Sequence, residues 1–425
     1  MSPRWHLIEL GGQSLQISSL SCDRVRLCIP VRVRAEKILR KVLEDRYLIP
    51  VVWFAAGVGA AWPKYFAGHA GNYQLYIQSF WHLLQSSDLY AVYPGQYSGF
   101  LYGPVFCVLI APFSLLPPIL GSLLFLSFSA GILWIAITTL PLSRTQRHGF
   151  ALICLMDLIN NQQHFQTNAL IAALVILSFT LMQRRREEWS ALSSALGFLV
   201  KLYGGMGLIF VVFAKRPERL LLAFLVWGLT LTALAAMLSS WSFVFESYRR
   251  WIQTLADQNL ANTSLENFQG QGVAGLIRRS LEVQGLSERA VMFTGLVMLL
   301  VPYLKFRCHK VERFQWLALA AGLMFLVLFS SGAENPTFII FQCGVAVWFF
   351  LGSALPMRLR LALVALVLLF STLPPTSLLP GPVGDFWVLH SLRAAPGLII
   401  WLVALYEMMR IPPPASSVSP QGGAE

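Results

Sequence analysis

The sequence predicts an all-α integral membrane protein: a polytopic helical bundle with short re-entrant or broken helices and polar loops gathered on its outer face. Three observations predict it. Hydrophobic residues make up 56% of the 425 residues and charged ones only 12%, with a mean hydropathy of +0.62, so that lipid rather than water must solvate most of the chain. Hydrocarbon about 30 Å thick takes roughly 20 apolar residues per helical crossing, and apolar runs approaching or reaching that length recur throughout. The basic residues, finally, fall in short clusters between those runs, where cytoplasmic anchors belong.

The runs cover approximately residues 47–62, 102–116, 119–141, 149–159, 167–182, 190–213, 220–238, 290–304, 315–330, 337–353, 359–373 and 396–409. Orientation follows from the positive-inside bias. The tail before residue 47, Arg144 and Arg147, residues 184–186, Lys215 and Arg216, residues 305–313, Arg358 and Arg360, and Arg410 all read as cytoplasmic. Two segments must then depart from simple crossings. Residues 102–116, which end at Pro117 and Pro118, become a re-entrant or interfacial element, and residues 190–213 leave and return as two half-helices meeting at 201–205.

The chain divides into a basic cytosolic tail (1–46), a transmembrane domain (47–410) with outer loops at 63–101 and 239–289, and a disordered C-terminal tail (411–425). The tail ends in an amphipathic stretch, 33–46, and has no apolar core followed by a cleavage site, which argues against a removable signal peptide. The net charge of +12 is distributed as membrane anchors rather than as a nucleic-acid patch. Six scattered cysteines define neither a disulfide framework nor a zinc site. Absent too are a glycine-rich nucleotide loop, a histidine-rich metal cluster and a nucleophile signature. No metal or cofactor is expected.

Polar residues collect on the face away from the basic clusters, and the candidates for chemistry lie there. Asp88 in the first outer loop fits a general base for a hydroxyl at the membrane surface, or a solvated cap. Asp157 interrupts an apolar run, a placement typical of cavity or partner contacts in membranes, or of a helix end that snorkels. Beside it the amides of residues 160–168, Gln163 and Asn168 among them, suit sugar hydroxyls or a phosphate, or helix–helix bonds. Lys201, with Tyr203 and the pair Gly204 and Gly205, sits at the half-helix break, where a cation can hold a lipid phosphate or simply snorkel. Arg278 and Arg279, basic on the outer side, call for a phosphate or a headgroup. Glu334, before Pro336 in an outer turn, is a second acid or a helix N-terminal cap. Residues 241–251 read as an interfacial helix. The sequon at 262–264 is a weak match.

The succession of Asp88-Leu89-Tyr90, Tyr93-Pro94, Tyr102-Gly103-Pro104, Gln166-Thr167-Asn168, Lys201-Leu202-Tyr203 and residues 262–279 resembles glycosyltransferase family 87, of the GT-C class of multi-spanning transferases. The resemblance spans about residues 47–409. It implies a GT-C-like bundle that moves a sugar, typically mannose, from a polyprenyl phosphate to a glycan or glycolipid acceptor, with inversion, on the non-cytoplasmic face of a bacterial inner or plasma membrane. By residue, it implies an acid of the first outer loop as the base, with Asp88 the nearest match; Asp157 and Glu334 stay candidate catalytic acids on their own placement in the sequence. Lys201, Tyr203, Arg278, Arg279, Gln163, Asn168 and Tyr102 would bind substrate. Where the family pattern leads one to expect an acid nearer Tyr102, this chain has Ser98 and Gly99. A lipid-linked-sugar flippase would bind the same headgroup without cleaving it, but should show two similar halves, and no internal repeat is visible. A polymerase or ligase using a pyrophosphate-linked donor would share the outer site.

Overall fold

The computed structural model describes the backbone of residues 6–10 and 13–17, and residues 37, 40–94, 96, 99–262, 270–283, 285–374 and 381–414. Residues 33–36, 38 and 39 of the stretch 33–46, all of 415–425, Ser98, and Thr263 and Ser264 of the sequon lie outside them. From residue 47 on the described chain is helical. A short antiparallel hairpin, His6–Leu10 paired with Gln13–Ile17, precedes it, where only a basic tail was expected.

Helices α1 (Leu48–Gly59), α2 (Trp62–Phe66), α3 (Gly71–Leu84) and α4 (Val105–Ser114) lead to α5 (Pro118–Thr139). Pro118 starts α5 at the position where a missing N–H costs nothing. Helix α6 (Arg144–Gln163) begins at a capping box in which Ser143 Oγ accepts from the Gln146 amide and Gln146 Oε1 accepts from that of Ser143. Then follow α7 (Asn168–Gln183), α8 (Glu187–Val200), a tight return through 202–213 containing α9 (Met206–Ile209), α10 (Pro217–Leu238), α11 (Trp241–Ala261), α12 (Val273–Ser280) and α13 (Glu288–Leu300). The chain closes with α14 (Glu312–Leu328), α15 (Phe338–Val347), α16 (Met357–Val367), α17 (Gly381–Leu389) and α18 (Ala394–Arg410).

Three described helical segments are long and apolar enough to cross a bilayer: Pro118–Thr139, Pro217–Leu238 and Asn335–Gly352. A fourth qualifies if α17 and α18, bent by 51°, count as one span. The centre of the bundle is α14 against α15, almost wholly buried along both lengths. Helix α10 lies at the rim and exposes Leu221, Leu222, Leu225, Val226, Leu229 and Met237. An apolar face of that extent is stable against lipid, not water. The protein is therefore an integral membrane protein.

The basic clusters meet at one end. Arg184 donates to the Thr139 carbonyl at 2.6 Å, Lys305 to that of Ile411 at 2.6 Å, and Arg313 to Glu407 at 2.7 Å. At the opposite end Asn72 donates to the His164 carbonyl at 2.8 Å, Trp251 to that of Leu101 at 2.9 Å, and the Gln271 amide to that of Ala333 at 2.8 Å. This sorting is the one the charge pattern predicts.

Both irregular segments take the expected form. Helix α4 has ten residues, about 15 Å long at 1.5 Å per residue, and runs back along α3, with Tyr73 Oη donating to the Phe113 carbonyl at 3.3 Å. The run 190–213 breaks at Lys201 and returns largely as 3₁₀ helix. The two limbs meet glycine to glycine: a Cβ on Gly204 would overlap the Gly197 backbone. In the 239–289 loop the helix expected over 241–251 is longer, reaching Ala261.

Candidate functional site

At the end opposite the basic clusters a cavity of about 610 Å³ opens between the half-helix break, α11, α13, α14 and the turn before α15. Leu202, Leu255, Met292, Phe325, Leu326 and Phe329 make much of its wall apolar. Its polar end holds Lys201, Glu334, His164 and Gln166, with Tyr102, Tyr203 and the amides Gln258, Asn259 and Asn262 of α11. Among the described residues lining it, Lys201 is the only lysine or arginine and Glu334 the only acid.

Lys201 is the residue at which α8 ends, its backbone extended. Its ammonium donates to Asn168 Oδ1 at 2.9 Å and lies 4.9 Å from the Tyr203 ring centroid and 5.8 Å from that of Tyr102. Two aromatic faces and an amide thus replace the water that a charge gives up at this depth. Tyr203 Oη bonds Ser330 Oγ, tying the break to the end of α14. Tyr102 Oη donates to Gln166 Oε1 at 3.0 Å and shares a 2.7 Å bond with Tyr76 Oη. The Gly103 amide donates to the Val200 carbonyl at 3.2 Å, which fixes the first outer loop against the residue before Lys201. A Cβ on Gly103 would collide with the Leu199 carbonyl, so glycine is required for that approach.

Glu334 caps the 3₁₀ turn Asn335–Thr337: its carboxylate accepts from the Thr337 amide, and Thr337 Oγ1 accepts from the Glu334 amide at 3.3 Å. Burial pushes its carboxyl above the ordinary glutamate value, while the positive charge of Lys201 and His164 opposes the rise. His164 Nδ1 lies 2.8 Å from the Asn160 carbonyl. Since a carbonyl only accepts, Nδ1 is the donor in that bond.

The candidate residues divide. Lys201, Tyr203, Tyr102 and Glu334 line the one cavity, and Asn168 holds Lys201. Asp88, Asp157, Arg278, Arg279 and Gln163 do not line it. Asp88 is ion-paired with Arg250 of α11, its other oxygen accepting from the Tyr90 amide at 3.0 Å. Asp157 is 2% exposed and paired at 3.1 Å with the fully buried Arg393. Arg278 pairs with Glu288 at 2.9 Å, which supplies the anion its outer position called for from within the chain. Arg279 donates to Ser391 Oγ at 3.1 Å. Gln163 is half-buried at the end of α6. Lys201, Tyr203, Tyr102 and Glu334 thus share a cavity from which Asp88, Asp157, Gln163 and the two arginines are absent; Asp88 and Asp157 hold arginines 162 and 236 positions away, and Arg278 holds an acid 10 positions away.

Cavity residues the sequence did not single out include Asn72, Gln258 and Asn259, whereas His164, Trp251 and Asn262 fall in stretches that it did. Gln258, Asn259 and Asn262 fall at the spacing that places side chains on one helical face, a signal present but shared with many surface helices.

The candidate site is thus an apolar-walled cavity that carries one cation and one acid among the described residues lining it. The family profile of glycosyltransferase family 87 matches residues 100–331, just over half of the chain, and the chain belongs to that family. The matched segment contains Tyr102, Asn168, Lys201, Tyr203 and α11, and ends at Ser331, three residues before Glu334. A search of curated proteins found no match. The protein is a membrane glycosyltransferase.

Proposed function

We propose that the chain transfers a sugar from a polyprenyl-phosphate donor to a hydroxyl of a glycan or glycolipid, with inversion, on the non-cytoplasmic face of a bacterial inner or plasma membrane. Mannose is the sugar that the family resemblance favours. The observation that carries the reading is the joining, in one cavity, of apolar walls to polar groups that include, among the described residues, a single cation. A prenyl chain matches the walls, and one ammonium balances the single charge of a phosphodiester. A pyrophosphate donor brings about twice that charge, so the cavity favours the monophosphate over a polymerase or ligase substrate.

In the proposed step the acceptor oxygen attacks the anomeric carbon. The bond from that carbon to the phosphate oxygen breaks, and the electron pair leaves on the phosphate beside Lys201. Glu334 takes the acceptor proton. The transition state is oxocarbenium-like, so positioned charge is the main source of rate. Lys201 offsets part of the second charge that builds on the leaving phosphate, and the proposed step is not routed through a divalent metal.

The test is release of polyprenyl phosphate by purified protein from a panel of polyprenyl-phosphate sugars. Glu334→Gln is expected to lower kcat by about 10²- to 10⁴-fold, the usual worth of a general base, with donor KM little changed. Lys201→Met should raise donor KM, and Asp88→Asn should keep most of the turnover. EDTA should leave the rate unchanged. Full turnover by Glu334→Gln together with an inactive Asp88→Asn moves the base to the first outer loop and overturns this reading of the cavity.

A further inference from the structure

The proposed base sits on a turn, residues 331–337, where its carboxylate accepts from the Thr337 amide, so its aim follows the placement of the turn. Bonds from other elements set that placement. The Ala333 carbonyl accepts from the Gln271 amide at 2.8 Å, and the Ser331 carbonyl accepts from Asn262 at 3.3 Å. Asn335, next to Glu334, accepts at Oδ1 from Arg393 Nη1 at 2.7 Å. The remaining guanidinium nitrogens are committed as well: Nη2 to Asp157 Oδ1 at 3.1 Å and Nε to the Ser371 carbonyl at 2.5 Å.

Arg393 is 0% exposed, and its guanidinium lies 3.8 Å from the Phe338 ring centroid. Thr372 Oγ1 donates to the other oxygen of Asp157 at 3.1 Å, and Ser371 Oγ to the Arg393 carbonyl at 2.7 Å. One buried fork therefore joins α6, the helical turn 368–372, the start of α18 and the turn that carries Glu334. An apolar cluster would bind those elements without the desolvation cost of a buried ion pair. What the fork adds is direction: a planar donor set fixes Asn335 in one orientation.

Resting on the proposed role of Glu334, we propose that Arg393, oriented by Asp157, is a positioning residue that aims Glu334 into the cavity through Asn335. Neither Asp157 nor Arg393 lines the cavity, so both act at a distance from substrate. Loss of the contact is expected to impair chemistry and spare donor binding at Lys201.

Asn335→Ala tests this with the Asp157–Arg393 pair intact, since charge-pair variants can fail to fold. The expected result is a kcat at least tenfold lower with donor KM within twofold of wild type, in protein that still folds with a thermal midpoint lowered by the buried donor left on Arg393. The acid limb of the kcat–pH profile should move to lower pH as Glu334 swings toward water and away from its buried setting beside Lys201 and His164. Asn335→Asp, which keeps an oxygen for Arg393, should recover kcat. A kcat within twofold of wild type overturns the proposal. So does a loss that comes with an unmoved acid limb and no recovery by Asn335→Asp. If Glu334→Gln itself keeps full turnover, the role of Glu334 fails first; if Glu334→Gln is inactive and Asn335→Ala is normal, only the positioning role fails.

Discussion

Glu334 shows what the single residue contributes. Its carboxyl binds a proton more tightly in the folded protein than in the unfolded chain, because burial outweighs the nearby positive charge. Ionising it therefore costs stability as pH rises through the raised value, and below the ordinary glutamate value of 4.5 the cost is absent because the group is neutral in both states. Glu334→Gln should thus be more stable than wild type at neutral pH, with the difference vanishing in acid, as thermal midpoints across pH will show. A base must be unprotonated, so turnover should rise with pH along a limb displaced above that ordinary value. Asp88 behaves differently. Its pair with Arg250 is partly exposed, and such pairs are worth about 1 kcal/mol or less. Asp88→Asn should change the thermal midpoint little. The acids were visible in the sequence as candidates, but their partners were not: Asp157 and Arg393 stand 236 positions apart, and only the folded chain brings them together.

The half-helix hairpin is the element on which the site depends. It was legible in advance because a lysine and two adjacent glycines interrupt an apolar run that basic clusters flank on both sides. The reason for the glycines was legible only in part. Gly204 and Gly197 touch across the hairpin, and a Cβ on Gly207 would crowd the hydroxyls of Ser178 and Ser194, themselves bonded at 2.7 Å. Gly204→Val is expected to push the limbs apart, at a cost of about 1 to 3 kcal/mol or more from overpacking, and to displace Lys201 from Asn168. A lower thermal midpoint together with a raised donor KM would show it; an unchanged KM would mean that Lys201 does not depend on the hairpin. The amphipathic character of α11 was equally readable. That its amides face a cavity was not, because the α13 and α14 residues that wall the other side come later in the chain and carry only apolar character.

At the scale of the molecule, the two ends differ in kind. Arg184, Lys305 and the Arg313–Glu407 pair lie at one, and the cavity opens at the other. Composition and the spacing of basic residues were enough to read the bundle, its two irregular segments and this polarity, since each follows from the bilayer as solvent. The cavity was not readable, because it arises where five segments far apart in sequence leave space between them. The central claim is that the donor's phosphate and the first units of its lipid lie in that cavity. A polyprenyl-phosphate sugar carrying a photoreactive group on its first isoprene unit tests this most directly, with the adducts mapped by mass spectrometry. The account predicts labelling of residues 201–203, Met292 and 325–329, and loss of that labelling in Lys201→Met. Labelling confined to the surroundings of Arg278 and Arg279, or of Asp88, with the cavity unmarked, would contradict it.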